Sequence, residues 1–445
     1  MAGGRTGPQA WGRLSRGGDH LRRPALPHGP WLVVGLKRSG MAAARTLAAR
    51  GEEVIAVDAG LPDLEGLDGV EVHTASQGVE LLDRAGAVVK SPGVPGQAPV
   101  IVAARERGLA VLGELELGWR LLDREFVAVT GTNGKTTTTE LLGHLHREAG
   151  VAVSVAGNVG TAVAGLEVDS GGVVVCEASS FQLEDTVAFA PEAAILLNVE
   201  ADHLDRHGTL AQYTAAKLQA FVRQAPGDVA VLPEGFPDPA GRALRVRFGP
   251  GGELDDRDGA LWWRGERLIA HDELALRGAH NRQNAAAAAA ACLARGMGLQ
   301  AVRAGLATFA GVAHRLEEVA RRDGVLYVND SKATNVASTL VALASFDAPV
   351  HLILGGQGKG QDFTPLRAPV ARRCAGVHLI GQDAGRIGEA LGAGTLRGDL
   401  ERAVAAASAA ASPGEVVLLS PACASFDQFA DFEARGEAFR ALVSN

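Results

Sequence analysis

Three stretches of the chain share a pattern in which an apolar run is followed by a turn and then by a helix-like segment. The first begins at Trp31, where WLVVGL precedes GMAAARTLAARG and EVIAVD. The second begins with EFVAVTGTNGKTT, and the third contains the apolar runs LYVND, HLILGG, GVHLI and EVVLLS. Short apolar runs that alternate with helical patterns are typical of buried parallel strands. The pattern therefore predicts an α/β protein.

The length of the chain predicts more than one domain. A chain of 445 residues exceeds what one hydrophobic core usually organises. We expect boundaries near 113 and 311, which gives α/β domains at 30–113, 114–311 and 312–445. Residues 225–275 combine short strand-like pieces with many turn residues, and we interpret them as a small β excursion of the central domain. Residues 1–29 have no apolar periodicity and are predicted to be a disordered extension.

Composition and charge exclude several classes of function. The formal net charge of −8 gives no general attraction for nucleic acid or for an anionic membrane. No run of the sequence approaches the ~20 apolar residues needed to span a bilayer. The four cysteines show neither CxxC nor zinc-type spacing, as expected for reduced thiols. We therefore expect a cytoplasmic monomer that neither binds nucleic acid nor inserts into a membrane.

A phosphate-binding loop is the strongest single signal. GTNGKTT at 131–137 lies between an apolar strand and a helix, and Val129 stands where GxxxxGK[ST] would begin. Glycines let backbone N–H groups approach phosphate, Lys135 adds a positive charge, and Thr136 offers a hydroxyl to Mg²⁺. The residues predicted to bind ATP here are Gly131, Thr132, Asn133, Gly134, Lys135, Thr136 and Thr137.

Polar residues follow two further apolar runs. Glu177 ends the run VVVCE, and a carboxylate beside a phosphate-binding loop typically ligates Mg²⁺, although surface carboxylates are common. Asp202 and His203 lie just beyond the next run, and Lys217 lies on the following predicted helix. A single histidine or lysine is more often a structural or surface residue. These two become candidates through their placement.

Eight short motifs occur in the order found in the Mur ligases, which are ATP-dependent ligases of bacterial cell-wall synthesis. They are GTNGKTT, SSFQLE, DHLDRH with AAK downstream, HNRQNAAAA, HRLE, NDSKATN, GGQGKGQDF and SPACASFDQF. The resemblance covers about residues 30–445, and three of the motifs resemble the branch that adds D-glutamate to UDP-N-acetylmuramoyl-L-alanine. It implies a Rossmann-like UDP-binding domain, a central P-loop ATPase-like domain with a parallel sheet, and a C-terminal Rossmann-like domain that binds the amino acid.

The resemblance implies ATP and two Mg²⁺ ions in the central domain. Thr136 and Glu177 would hold one ion, and His203 and a carbamylated Lys217 would hold the other. Lys135, His203 and Lys217 would be the catalytic residues. A neutral lysine amine can add CO₂ to become an anionic carbamate, which suits a hard cation, whereas a protonated lysine would repel it.

Further ATP contacts are implied outside the loop. Asn281 and Asn284 match positions near the adenine, and their alternative role is to cap the alanine-rich helix that follows. Arg315, Asp330 and Lys332 match residues of the third domain that reach the ATP.

The implied substrate contacts fall into three groups. They are Gly35, Ser39, Asp58 and Ser91 for the UDP part; Asn158, Ser179 and Gln182 for the muramoyl-alanine part; and Thr334, Lys359, Ser425, Phe426 and Phe432 for D-glutamate. The loop GLKRSG at 35–40 opens a helix whose N-terminus favours diphosphate, and it lacks the GxGxxG spacing of an NAD site. Its charged residues Lys37 and Arg38 depart from the family pattern. Core packing is the alternative role for Phe426 and Phe432.

The implied reaction is amide formation through an acyl phosphate. The substrate carboxylate would attack the γ-phosphate of ATP, and the amine of D-glutamate would then displace phosphate. Two other enzymes remain open: a sister Mur ligase with another amino acid, and a folylpolyglutamate synthase-like ligase, which lacks the UDP-binding domain predicted from Trp31. A regulator without catalysis is a third alternative, and the presence of Lys135, Glu177, His203 and Lys217 argues against it.

Overall fold

The computed structural model describes residues 23–444, except 159, 169, 170, 277, 310 and 359. Lys359 of the predicted glutamate pocket and residues 1–22 of the predicted extension therefore lie outside the described residues. Arg23 belongs to the range predicted as an extension, yet it donates a hydrogen bond to the carbonyl oxygen of Trp119 over 2.8 Å. The chain divides into two compact units, 1–275 with 280–309 and 276–279 with 310–445.

A five-stranded parallel sheet forms the first part of the first unit. Its elements are β1 (Trp31–Val34), α1 (Arg38–Ala49), β2 (Val54–Asp58), β3 (Glu71–Thr74), a 3-10 helix (Val79–Arg84), β4 (Ala87–Lys90), α2 (Pro99–Glu106), β5 (Ala110–Gly113) and α3 (Glu114–Leu121). The strand order is β3-β2-β1-β4-β5. The order changes direction between β1 and β4, so their carboxyl ends border the crevice where such sheets bind ligands.

A nine-stranded sheet forms the rest of the first unit. Its elements are β6 (Glu125–Thr130), α4 (Lys135–Glu148), β7 (Val153–Gly157), a 3-10 helix (Val163–Gly165), β8 (Val173–Glu177), α5 (Ser180–Leu183), β9 (Ala193–Leu196), α6 (Leu204–His207), α7 (Leu210–Leu218), β10 (Val229–Pro233), β11 (Leu244–Phe248), β12 (Leu254–Arg257), β13 (Ala260–Trp263), β14 (Glu266–Ala270), α8 (Ala279–Ala294) and α9 (Leu299–Thr308). The strand order is β14-β13-β12-β11-β10-β9-β6-β8-β7.

The stretch 225–275 is less separate than the sequence indicated. β10 pairs in parallel with β9, and β11 pairs in parallel with β10, so both extend the main sheet. Only β12, β13 and β14 form an antiparallel meander at its edge. The apolar residues of β10 are buried like those of the inner strands, which explains why it joins them.

A six-stranded sheet forms the second unit. Its elements are β15 (Glu317–Arg322), β16 (Val325–Asn329), α10 (Val336–Ala344), β17 (Val350–Gly355), a 3-10 helix (Thr364–Leu366), α11 (Arg367–Arg373), β18 (Cys374–Ile380), α12 (Ala384–Leu391), β19 (Thr395–Gly398), α13 (Leu400–Ala410), β20 (Val416–Leu419) and α14 (Phe432–Ser444). The order is β15-β16-β20-β17-β18-β19, and β15 alone among these pairs antiparallel to its neighbour.

Alternate residues of the inner strands face opposite hydrophobic clusters. In β1, Trp31 and Val33 belong to one cluster, and Leu32 and Val34 belong to another. This alternation arises because successive side chains of a strand point to opposite faces, and both faces are covered. The predicted α/β class with parallel sheets is confirmed. Within the part of the chain that the structure describes, no helix is long and apolar enough to cross a membrane.

Candidate functional site

The predicted phosphate-binding loop connects β6 to the N-terminus of α4. Gly131 and Gly134 have φ angles of 153° and 83°, which favour glycine, and Gly134 immediately precedes the helix. Lys135 Nζ donates to the carbonyl oxygens of Gly131 (2.9 Å) and Thr132 (2.7 Å). Thr136 and Thr137 are buried in the first helical turn. A glycine turn, a helix N-terminus and a lysine thus meet at one place, as phosphate binding requires.

Residues beyond β9 hold the other side of this loop. Asn198 Oδ1 accepts from the backbone N–H groups of Thr132 (3.1 Å) and Asn133 (2.8 Å). Asn133 Nδ2 donates to Glu200 Oε2 over 3.1 Å. Neither Asn198 nor Glu200 was among the predicted site residues. Their position after the strand next to β6 is the only signal that could have identified them.

Glu177 lies at the carboxyl end of β8, opposite Val129 of β6. Its side chain is buried, and Oε1 accepts from Asn158 Nδ2 over 3.0 Å. Oε2 has no hydrogen-bond partner among the described residues. A buried carboxylate oxygen without a donor beside a phosphate-binding loop fits a Mg²⁺ ligand, because that ion prefers oxygen ligands.

The described residues contain no group of three or more His, Cys, Asp and Glu side chains that could hold a metal ion. This finding is compatible with the predicted ligands, which include a threonine hydroxyl and a modified lysine. Mg²⁺ is commonly held by one or two carboxylates together with substrate phosphates rather than by a cage of protein ligands.

Lys217 lies against the phosphate-binding loop. It is 1 % exposed, its Nζ donates to the Gly131 carbonyl oxygen over 2.7 Å, and the same Nζ lies 4.2 Å from the centre of the Tyr213 ring. Burial, and then the positive charge of Lys135, lower the pKa of Lys217 to about 7, while Asp202 acts in the opposite direction. Lys217 is therefore not the ordinary surface lysine that was the alternative interpretation.

His203 lies near the same loop but is held less tightly. Its backbone has a left-handed φ of 51°, and about half of its side chain is exposed. Its ring lies 4.9 Å from the Phe181 ring and 6.2 Å from the Tyr213 ring. The Tyr213 hydroxyl lies 3.4 Å from Thr132 Oγ1. Tyr213 therefore contacts His203, Lys217 and the loop, and the sequence analysis did not identify it.

Asn281 and Asn284 lie inside α8, which begins at Ala279, so neither side chain is at the capping position. Both are buried, and Asn284 Nδ2 donates to Asn281 Oδ1 over 3.3 Å. A Cβ added to Gly134 would overlap Asn284 Oδ1. The structure therefore brings Asn284 directly against the phosphate-binding loop.

Three of the residues predicted to bind UDP meet at the crevice of the five-stranded sheet. Ser91, after β4, donates to the Gly35 carbonyl oxygen over 2.6 Å. Asp58, at the end of β2, accepts from the backbone N–H groups of Leu36 (2.6 Å) and Gly60 (2.7 Å). Ser39 lies half-buried in the first turn of α1. The Asp58 carboxylate thus already shapes the turn that precedes α1.

The residues predicted to meet the muramoyl-alanine part have local partners. Asn158 contacts Glu177, and its carbonyl oxygen accepts from the Arg38 guanidinium. Ser179 and Gln182 form a capping box at the start of α5, in which the Gln182 backbone N–H donates to Ser179 Oγ over 3.3 Å and the Ser179 backbone N–H donates to Gln182 Oε1 over 3.0 Å. Their geometry therefore has a structural explanation, and contact with substrate remains a prediction for both.

In the second unit, Asp330 follows β16 and is buried. Its Oδ2 accepts from Ser420 Oγ over 2.8 Å, and its Oδ1 accepts from the Leu316 backbone N–H over 3.2 Å. Burial raises the pKa of Asp330 to about 7, although the hydrogen bond from Ser420, the bond from Leu316 and the charge of Arg315 act in the opposite direction. Lys332 Nζ lies 5.7 Å from the centre of the Phe432 ring.

The described residues of the predicted glutamate pocket differ in exposure. Thr334 is exposed, Phe426 is 62 % exposed, and Phe432 is half-buried at the start of α14. The core-packing alternative is therefore wrong for Phe426. Ser425 is buried, and its hydroxyl has no hydrogen-bond partner among the described residues. A buried hydroxyl without a partner is compatible with a ligand contact.

Arg435 is a buried cation of the second unit that the sequence analysis did not identify. It is 1 % exposed and donates to Ser331 Oγ (2.9 Å) and to the carbonyl oxygens of Ser331 (2.8 Å) and Cys423 (3.0 Å). Burial lowers its pKa to about 10. Arg435 thus connects the segments that carry the NDSKATN and SPACAS motifs.

Comparison with protein families divides the chain into three matched ranges. Residues 30–113 match the Mur ligase MurD-like N-terminal domain, 129–247 match the Mur ligase middle domain, and 314–423 match the Mur ligase glutamate ligase domain.

Whole-chain comparisons agree with these ranges. UDP-N-acetylmuramoylalanine--D-glutamate ligase from Pelotomaculum thermopropionicum is 41% identical, over 93% of this chain and 96% of its own length. The ligase of the same name from Rubrobacter xylanophilus is 45% identical, over 93% of this chain and 97% of its own length. UDP-N-acetylmuramate-alanine ligase MurC from Thermotoga maritima has a similar fold, with a TM-score of 0.59 and 20% identity over 94% of this chain and 100% of its own. MurF ligase from the same organism, in complex with ADP, has a TM-score of 0.55 and 18% identity over 94% of this chain and 96% of its own. The chain therefore belongs to the Mur ligase family, in the branch of the UDP-N-acetylmuramoylalanine--D-glutamate ligases.

Proposed function

We propose that this chain joins D-glutamate to UDP-N-acetylmuramoyl-L-alanine with the hydrolysis of ATP to ADP and phosphate, as a cytoplasmic step of peptidoglycan synthesis. The observation that carries the proposal is the position of Lys217, which is buried and hydrogen-bonded to the Gly131 carbonyl oxygen of the phosphate-binding loop. The relatives named above support the choice of nucleotide precursor and amino acid.

The chemistry requires activation of a carboxylate, because the anion repels an incoming amine and hydroxide is a poor leaving group. Phosphorylation by ATP removes both obstacles. Lys135, at the N-terminus of α4, would neutralise charge that develops on the transferred phosphoryl group. The amine of D-glutamate would then attack the acyl phosphate, and the tetrahedral intermediate would lose phosphate to leave the amide.

Mg²⁺, when bound, would neutralise negative charge that opposes the reaction of a carboxylate with ATP. Thr136 and Glu177 would hold one ion, and Glu177 Oε2, which has no hydrogen-bond partner within the described part of the chain, supports this choice. His203 and a carbamylated Lys217 would hold a second ion. Carbamylation requires a neutral amine, and burial lowers the pKa of Lys217 to about 7, which favours the neutral amine near neutral pH far more than in an ordinary exposed lysine.

Phosphate release by the purified full chain tests the proposal. The assay contains ATP, Mg²⁺ and UDP-N-acetylmuramoyl-L-alanine together with one amino acid at a time, and the control omits the nucleotide precursor. We expect turnover with D-glutamate and none without the precursor. Turnover with another amino acid would identify a sister Mur ligase. Turnover only when a folate substrate replaces the nucleotide precursor would identify a folylpolyglutamate synthase-like ligase. No turnover with any of them would favour a regulator.

A further inference from the structure

Four aromatic rings form a cluster beside the phosphate-binding loop. We define the aromatic cluster as Phe181, His203, His207 and Tyr213. The Phe181 ring lies 4.9 Å from His203 and 5.4 Å from His207, and the Tyr213 ring lies 6.2 Å and 5.3 Å from the same two rings. Each histidine therefore contacts the same two aromatic side chains.

His207 is the firmly held member of the histidine pair. Its side chain is 5 % exposed, and its ring lies nearly parallel to Phe181, at an interplanar angle of 16°. Its Nε2 lies 3.0 Å from Ser180 Oγ, and its Nδ1 lies 3.7 Å from Glu184 Oε2. Ser180 on α5 and Glu184 directly after α5 thus hold this ring through its two nitrogen atoms.

His203 has far less support of its own. Its side chain is 48 % exposed, and its only ion-pair partner in the described structure is the equally exposed Asp202, 3.5 Å away. Its left-handed backbone conformation is costly for a residue other than glycine and persists only where the surroundings impose it. The orientation of His203 must therefore come from its neighbours.

Two connections link His207 to His203. The backbone N–H of His207 donates to the His203 carbonyl oxygen over 3.0 Å, and this bond closes the single turn of α6. The second connection is the Phe181 ring, which contacts both imidazoles and also has the Arg206 guanidinium 4.6 Å from its centre. The His207 imidazole packs against Phe181 and holds that ring in position. The Phe181 ring in turn limits the orientations that are open to the His203 ring.

We propose that His207 is a positioning residue, which holds His203 beside the phosphate-binding loop through the Phe181 ring and the turn of α6. This inference rests on the proposed function, in which His203 binds a divalent ion. Residues that orient a metal-binding histidine typically change metal affinity or activity by about 10–100-fold when they are removed. We expect a loss of that size from His207→Ala, with little change in ATP affinity, because the His207 ring contacts Ser180, Phe181 and Tyr213, and none of these three was predicted to bind ATP.

Three variants separate the possible causes. His207→Ala removes the ring and the contact with Ser180, whereas His207→Phe keeps a ring to stack on Phe181. His144→Ala is the matched control, because His144 also contacts a hydroxyl (Thr308, 2.9 Å) and an aromatic ring, but on α4. Each variant would be measured for kcat, for the KM of ATP, and for Mn²⁺ binding by electron paramagnetic resonance with a non-hydrolysable ATP analogue. The last measurement needs no turnover.

We expect His207→Ala to lower kcat and to weaken one class of bound Mn²⁺ by about 10–100-fold, with the KM of ATP within about twofold. His207→Phe should recover most of the loss, and His144→Ala should behave like the parent. Parent-like Mn²⁺ binding in folded His207→Ala would overturn the proposal, as would an equal loss in His207→Phe.

If His207→Ala does not fold, the His207→Phe variant decides by itself. Mn²⁺ binding close to that of the parent supports the role of the ring, and loss of Mn²⁺ binding overturns it. An inactive parent that still binds Mn²⁺ would count against the proposed function instead.

Discussion

Glu114 is a buried carboxyl group whose charge should make the stability of the first unit depend on pH. It begins α3, is fully buried, and its Oε1 accepts from the Ala164 backbone N–H over 2.7 Å. Its Oε2 has no hydrogen-bond partner among the described residues. Burial raises the pKa of Glu114 from 4.5 to about 7, although the hydrogen bond from Ala164 and the charge of Arg38 act in the opposite direction.

The sign and size of the effect follow from this pKa. Between pH 4.5 and 7 the folded state keeps a proton that the unfolded state releases, so the stabilising contribution of Glu114 falls as the pH rises. Above pH 7 the carboxylate is charged in both states. The folded state then holds this charge in its interior, where it is solvated less well than in the unfolded state, and this lowers the free energy of unfolding. The full difference is about 3 kcal/mol. Glu114→Gln removes the charge and preserves an oxygen that can accept from Ala164.

Denaturant unfolding from pH 5 to 8.5 measures this effect. Four of the five tryptophans lie in the described part of the first unit, so their fluorescence follows the unfolding of that unit; they are Trp31, Trp119, Trp262 and Trp263. We expect the free energy of unfolding of Glu114→Gln, relative to the parent, to rise by about 2.5 kcal/mol across this range. Glu116→Gln is the matched control. It should be destabilised throughout, because Glu116 pairs with Arg120 and accepts from three backbone N–H groups. A difference for Glu114→Gln that stays constant with pH would refute the reasoning.

Three further substitutions give distinct expected results. Lys217→Ala should abolish turnover, and a small carboxylate that occupies the vacated space should partly restore phosphate release. Gly134→Ala should weaken ATP binding by at least about tenfold, because its φ of 83° disfavours alanine and a Cβ would overlap Asn284; nucleotide titration measures this. Lys90→Met should cost about 3–5 kcal/mol in unfolding experiments, because it leaves the buried Asp185 with only the half-exposed Arg105, 4.0 Å away, as an ion-pair partner, and adding Asp185→Leu should recover most of that loss.

Matched variants make these results interpretable. Thr214→Ala lies on α7 with Lys217, and its Oγ1 bonds to its own helix, so it should keep full activity. Gly150→Ala shares a positive φ of 71° but has open space around it, so it should leave ATP binding unchanged. Full activity of Lys217→Ala would exclude the carbamate. Unchanged ATP binding of Gly134→Ala would show that the loop tolerates displacement from Asn284.

Much of the fold could be predicted from apolar runs, because inner strands of parallel sheets are buried on both faces. β1, β6, β8 and β17 all follow this pattern. β15 could not be predicted in this way, because its sequence EEVARR is largely polar and it lies at the edge of its sheet. The continuity of β10 and β11 with the main sheet was also missed, because turn residues around them resemble those of an independent hairpin region.

The residues of the candidate site also divide into those that the sequence identified and those that only the structure revealed. The motif at 131–137 predicted a glycine turn that leads into the N-terminus of a helix, because glycine, lysine and threonine spacing reflects backbone geometry directly. Tyr213 and Asn198 escaped because a single tyrosine on a helix or asparagine after a strand has no distinctive spacing. Only the folded chain shows that Tyr213 contacts both Lys217 and the loop.

The helix that carries Asn284 also limits how this protein can evolve. Residues 285–291 of α8 are seven successive alanines, and each is at most 1 % exposed, so the helix has no solvent-facing side along two turns. Any larger residue there would have to push the whole helix outward, and Asn284 would move away from Gly134 with it. Substitutions in this segment should therefore be tolerated only when one very small side chain replaces another. A deep mutational scan should show seven consecutive positions that are all intolerant of larger residues, without the periodic tolerance of a helix that has one exposed face.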